Sequence, residues 1–273
     1  MLRTIMFVPL VLFFAEAASS DDTDPRIAEA LQTTTEAATQ YEFRLADDPS
    51  EELEFHPKSL LRWSNPVIGV IYGNVFVWTK DGRPEVVGSI LQWYEPHTHG
   101  THEFHSLSTN PLEGFHDGKT VWSTKKPGLE WKSMPQAPSV GASPAVRLRQ
   151  MRSMVRQVTI TSISKSDDQY NLRLLSQPLF RYGDADSSVL DGALFSFVQG
   201  TDPEVIVLIE ARKNPEGSLR WQIALARMAA LEFSAKYRGQ ELWHVESMPY
   251  PIAMGGQEPY ALYRFRRPIS EPR

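Results

Sequence analysis

Gly73–Ile90 reads GNVFVWTKDGRPEVVGSI, and it returns at an offset of 119 residues as Gly192–Ile209, GALFSFVQGTDPEVIVLI. Six of the eighteen positions are identical without a gap: Gly73/Gly192, Phe76/Phe195, Pro84/Pro203, Glu85/Glu204, Val86/Val205 and Ile90/Ile209. Other pairs keep their character, such as Val75/Leu194, Trp78/Phe197 and Val87/Ile206. In each copy β-branched and aromatic residues flank a turn built from Gly, Asp and Pro, which is the pattern of a β-hairpin.

Working outward, the offset persists. Asp24-Pro25 supplies a cap and a first-turn proline, and Ile27, Leu31, Thr34 and Ala38 then fall on one helical face. Ser143-Pro144 opens a second helix with Leu148, Met151, Val155 and Val158 on its apolar face. Leu60-Leu61-Arg62-Trp63 is answered by Leu179-Phe180-Arg181-Tyr182. Strands are predicted over 41–45, 71–79, 85–94, 102–108 and 120–123, then over 158–163, 170–175, the returning hairpin, 220–228 and 259–265. Pro57 and Pro66 mark the stretch around LLRWSNP as an irregular edge. Residues 126–142 are rich in Pro, Gly and Ser and read as a linker.

The chain thus divides into a leader over 1–17, a first α+β repeat over 18–125, the linker, and a second repeat over 143–273 that carries one extra C-terminal strand. The expected fold class is α+β: two tandem repeats, each a helix packed on a mainly antiparallel sheet, because short connections demand antiparallel pairing. This element order is similar to the cystatin-like and nuclear transport factor 2-like cone folds. A single β-sandwich with two helices, built from both halves, is the alternative.

Hydrophobic residues make up 41% and charged residues 22%, as in ordinary globular proteins, and the net charge of −5 gives no reason to expect nucleic acid as a partner, which would need a concentrated basic footprint. Arg3, the apolar run Ile5–Phe14 and the small-x-small Ala15-Glu16-Ala17 form a signal-peptide pattern, so an exported location, periplasmic or extracellular, is expected. That run of ten is half the roughly 20 residues a spanning helix needs, and no transmembrane segment is expected after cleavage. The chain has no cysteine, so an exported fold must rest on its apolar core.

Chemistry concentrates at one place. Four of the seven histidines lie in His97-Thr-His99-Gly-Thr-His102-Glu103-Phe-His105. Imidazole suits borderline divalent metals, so His97, His99, His102, Glu103 and His105 are the candidate ligands, with a transition metal such as Zn as their cargo. Strand alternation separates His102 from Glu103 and His105. The spacing His97-x-His99-x-x-x-Glu103 resembles the first half of the cupin metal motif, although no second motif with its downstream histidine follows. At the offset of 119, His102, Glu103 and His105 fall on Trp221, Gln222 and Ala224, a copy without ligands.

Glu85 and Glu204 share one place in the two hairpins and would pair if the halves faced each other. Trp63, Trp78, Trp93, Tyr94, Trp122 and Trp131 read as core. Arg147, Arg149, Arg152 and Arg156 read as the solvated face of the second helix. No phosphate loop, G-x-S-x-G elbow, H-E-x-x-H or cysteine nucleophile is present, and no catalytic residue is assigned. The strings LLRWSNP, GNVFVWTKDGRPEVV, HEFHSLS and DGALFSFVQGTDPEVIVLIEAR, then RWQIALARM, look like a family of uncharacterised exported bacterial proteins. That resemblance implies export and one evolutionary unit, and adds no catalytic residues. The expected function is a non-enzymatic binding or interaction protein for a protein or small-molecule ligand, without a cofactor. A metal-binding protein or metal-dependent enzyme using the His97–His105 cluster is the alternative.

Overall fold

The computed structural model describes residues 24–164, 168–184 and 187–266, so the expected leader lies outside the described residues. The first half runs α1 (Pro25–Ala38), β1 (Tyr41–Leu45), β2 (Asp48–Glu52), β3 (Glu54–Ser64), β4 (Val70–Lys80), β5 (Arg83–Glu95), β6 (His99–Ser106), β7 (Leu112–His116) and β8 (Lys119–Ser123). A two-residue strand, β9 (Lys132–Ser133), precedes α2 (Pro144–Val155). The second half follows as β10 (Val158–Ile163), β11 (Gln169–Asn171), β12 (Arg173–Leu174), β13 (Phe180–Tyr182), β14 (Val189–Gln199), β15 (Asp202–Lys213), β16 (Leu219–Arg227), β17 (Glu232–Tyr237) and β18 (Gln240–Val245). A short helix, α3 (Tyr250–Ala253), leads into β19 (Tyr260–Arg266).

Both long helices start as their residues dictate. The Asp24 carboxylate accepts from the Arg26 amide at 2.9 Å and the Ser143 hydroxyl from that of Val146, each ahead of a first-turn proline. The hairpin turns use residues that tolerate positive φ, Asp81 and Gly82 in the first and Gly200 in the second.

Among the described residues all pairing is antiparallel, in four sheets: β2-β1-β7-β8; β19-β6-β5-β4-β3; β11-β10-β17-β18; and β12-β14-β15-β16-β9, with β13 also on β14. The two small sheets share one strand order, as do the two large ones. β3 is an edge strand whose register slips between His56 and Leu61, around Pro57, as the prolines predict. β7 and β17, not predicted, complete the small sheets.

The hydrophobic runs of the hairpins are explained by burial on both faces. Along β4, Phe76 and Trp78 point into a core with Tyr41, Phe43, Leu112 and Trp122 of the first small sheet. Their neighbours Val75 and Val77 point the other way, against Leu194, Ile206, Leu208 and Ala224 of the second large sheet. Phe195, Phe197, Val205 and Val207 pack beneath α2 and the second small sheet. The two large sheets therefore meet face to face at the centre, each roofed on its outer side.

Two segments sit elsewhere than their sequence neighbourhood suggests. β19 pairs along its whole length with β6, Tyr260 opposite His105 and Arg266 opposite His99, and so joins the first large sheet. Residues 126–142 are docked, with Leu129 buried and β9 paired to β16. Arg147, read as solvated, is buried: its guanidinium meets Asp191 at 2.7 Å, and Arg181 meets the same carboxylate at 2.7 Å. No described helix is long and apolar enough to cross a membrane.

Candidate functional site

The tips of β5 and β15 carry Arg83-Pro84-Glu85 and Asp202-Pro203-Glu204 at the 119 offset. The ladder shifts register within each triplet, so that Glu85 and Glu204 are the extra residues of β-bulges, and the charged side chains on both sides of each proline reach toward the opposite half. At the first tip the charges close on themselves. Arg83 donates to Glu85 at 2.6 Å and to Glu210 at 3.2 Å, Tyr182 donates to Glu210 at 2.7 Å, and Arg212 pairs with Glu210 at 3.3 Å. The Arg212 guanidinium also lies 5.0 Å from the Trp131 ring. Two cations balance two carboxylates.

At the second tip the same positions hold different residues. Arg83 is replaced by Asp202, Glu210 by Leu91, Arg212 by Trp93 and Trp131 by Tyr250, while Glu85 remains as Glu204. A third carboxylate, Glu103, enters from β6. The result is a cavity of about 300 Å³ lined by Glu103, Asp202 and Glu204, with Asn65, Ile71, Leu91, Trp93, Leu262 and Tyr250 among its walls. Ile68 and Tyr250 are exposed at its margin, and the Arg264 guanidinium stands 5.0 Å from the Tyr250 ring.

Inside, acceptors outnumber donors. Glu103 accepts from the Tyr260 hydroxyl at 2.7 Å, and Asp202 accepts a long 3.4 Å bond from Asn65. Glu204, 5% exposed, has no partner for Oε2, and Asn65, 2% exposed, has none for Oδ1. No ion pair engages Glu103, Asp202 or Glu204 among the described residues, in contrast to the first tip. Burial lifts the Glu204 carboxyl to about 8, with the Glu103 charge adding to it. Burial lifts Glu103 to about 7 against the opposing pull of the Tyr260 hydrogen bond and Arg264. Asp202 is raised by burial and by both neighbouring glutamates. Crowded like charges in a low-dielectric space account for the direction of all three.

The histidine cluster disperses over three places. His97 lies in the connection between β5 and β6 and His99 opens β6, their rings 5.8 Å apart and 5.3 and 5.9 Å from Trp93. His102 turns into the first half's core, where its Nδ1 meets the Tyr41 hydroxyl at 2.8 Å and burial depresses its pKa to about 3. Glu103 and His105 share the other face of β6, Glu103 in the acidic cavity and His105 with Nε2 donating to the Gly128 carbonyl at 3.1 Å. Among the described residues no three His, Asp or Glu side chains have a metal-holding arrangement. Glu85 and Glu204 belong to separate clusters. Asp202, Asn65 and Tyr260 escape the sequence reading, although the charge reversal from Arg83 to Asp202 beside a retained glutamate was visible at the offset.

No protein-family model, no curated protein and no solved structure matches this chain.

Proposed function

We propose that this is a ligand-binding protein whose acidic cavity between the halves takes a small organic cation, an ammonium or guanidinium on a compact apolar body. The observation that carries the reading is the buried Glu204 carboxyl, which faces two further carboxylates and is engaged by no ion pair among the described residues, the Arg264 guanidinium in the cavity wall standing over the Tyr250 ring instead. A buried charge without a partner is costly, so a cation entering the cavity relieves what the fold leaves uncompensated. Trp93 offers ring surface to the same cation, and Ile71, Leu91 and Leu262 offer apolar surface. The volume lies at the lower end of ligand sites, which favours a small molecule over a peptide.

Shared strand order, matched hairpin tips and a gapless offset support one duplicated α+β unit, with the first tip kept as an ionic pin and the second opened as a site. The leader pattern supports export as the setting in which the ligand is met.

Calorimetric titration of the full chain with benzylamine, and with benzyl alcohol as the neutral match, tests the reading. Benzylamine is expected to bind with 1:1 stoichiometry, and Glu204→Gln to weaken it by about tenfold or more. Equal binding of amine and alcohol, or undiminished binding in the variant, refutes it. Zinc chloride is the control for the histidine alternative: saturable zinc binding lost on His97→Ala/His99→Ala, with benzylamine inert, would replace the cation reading by a metal site.

A further inference from the structure

On the other side of Tyr260 lies a second and larger cavity, of about 450 Å³. Its walls are chiefly apolar, from Leu129, Leu225, Trp243, Val245 and Met248. Two sides of it are supplied by the docked 126–142 segment and by β18, so it exists only because that segment folds back over β16.

One charged group is buried in this apolar lining. Arg227, at the end of β16, is 5% exposed. Its Nε donates to the Ala229 carbonyl at 3.1 Å, and its Nη2 donates to the carbonyls of Leu231 and, at 2.8 Å, Glu246. Those bonds hold the guanidinium plane and leave Nη1 with no acceptor among the described residues. The Phe233 and Tyr260 rings lie 5.9 and 6.0 Å from its centre. No carboxylate pairs with Arg227 among the described residues. The two acids at the cavity rim are already engaged, Glu258 with Lys126 at 3.2 Å and Glu130 with Lys132 at 3.7 Å. His105, which also borders the cavity, is held neutral by burial, its pKa depressed to about 4. Among the described residues Arg227 is therefore the cation facing this space without a counter-ion, and burial lowers its pKa.

A guanidinium fixed by carbonyls, with a free N–H edge in an apolar cavity, is built to receive a planar anion on a hydrocarbon body. We propose that this cavity binds an apolar monocarboxylic acid as its carboxylate, with the head on Arg227 Nη1 and the chain against Leu225, Leu129 and Val245. The site is independent of the acidic cavity, and the two ask for ligands of opposite charge.

The test is calorimetric titration of the full chain with octanoate, 1-octanol and octylamine, three probes of one chain length and different heads. Octanoate is expected to bind 1:1, at least about tenfold more tightly than octanol, with octylamine silent. Val245→Trp fills the cavity without touching the Arg227 carbonyl bonds. It should abolish octanoate binding while its unfolding transition stays that of the wild type. Arg227→Gln should bring octanoate down to the affinity of octanol, and Glu204→Gln should leave octanoate binding unchanged. Octanol matching octanoate in the wild type would show an apolar hole with no anion recognition and overturn the proposal. So would octanoate binding that survives Val245→Trp, or no saturable octanoate binding at all.

Discussion

Glu204→Gln removes one titrating proton from the acidic cavity and keeps its shape, so its effect on stability can be worked from the structure. In the fold this carboxyl titrates near 8, and in the unfolded chain at the ordinary glutamate value of 4.5. The folded pKa is the higher one, so the folded state holds the proton more tightly. Its contribution to stability is complete below about pH 4.5 and is lost as the pH climbs through 8. Each pH unit in that window costs about 1.4 kcal/mol, or roughly 4 kcal/mol between about pH 5 and pH 8. Because Glu103 and Asp202 share the site, the proton removed is the cluster's rather than one residue's, and about 2–4 kcal/mol is the expected range. Glutamine does not titrate, so the variant should gain that amount relative to wild type across the window. Taking the difference also cancels His102 and His105. Their pKa values are depressed to about 3 and 4, so they withdraw stability in the opposite direction, as pH falls below 6.5. Urea denaturation followed by tryptophan fluorescence at about pH 5, 6.5 and 8 measures it, with equal m-values as the check on two-state comparison. A pH-independent difference between variant and wild type would mean that Glu204 is ionised in the fold, and the reading of the cavity as uncompensated would fail.

Arg83→Ala at the opposite hairpin tip strands Glu85 and Glu210 inside the protein and should cost about 3–5 kcal/mol by equilibrium denaturation; a loss below about 1 kcal/mol would be that of a solvated ion pair. Benzylamine competes with protons for the same carboxylates, so its affinity should rise between about pH 6 and pH 8, by up to about tenfold per unit for one displaced proton. Proton release measured in buffers of different ionisation heat checks this, and a flat profile would place the amine elsewhere. In Gly128→Ala the new methyl would run into the Ser106 carbonyl. This change should destabilise the chain by about 1–3 kcal/mol and speed proteolysis within 126–142, whereas unchanged cleavage would contradict the docking of that segment.

The hairpins and helices were legible because their signals are local: strand-forming runs around Gly and Asp turns, and a cap followed by proline. β7 was not, because Gly114 interrupts its pattern at the point where Phe43 and Trp122 close over the backbone. The apolar faces of α2 were legible, but the burial of Arg147 was not, since only tertiary structure brings Asp191 to it. The site divides in the same way. The histidines were conspicuous as neighbours in sequence, and strand alternation on β6 sends them to opposite faces. Glu103 was a candidate for the wrong company. Asp202 read as turn chemistry and Glu204 as a partner for Glu85, because their meaning depends on a strand from the other half.

The pairing of β19 with β6 has a consequence for how the chain is made. A ribosome finishes β6 some 150 residues before it reaches Tyr260. Throughout that interval the edge of the first large sheet presents unpaired amides and carbonyls, the arrangement that recruits strands from other chains. The edge closes only when the last strand arrives, and the first half is completed by the end of the second. Vectorial, half-by-half folding is thereby ruled out for the finished structure. Truncations ahead of Tyr260 should accumulate as insoluble material, however well the first half's own core is packed.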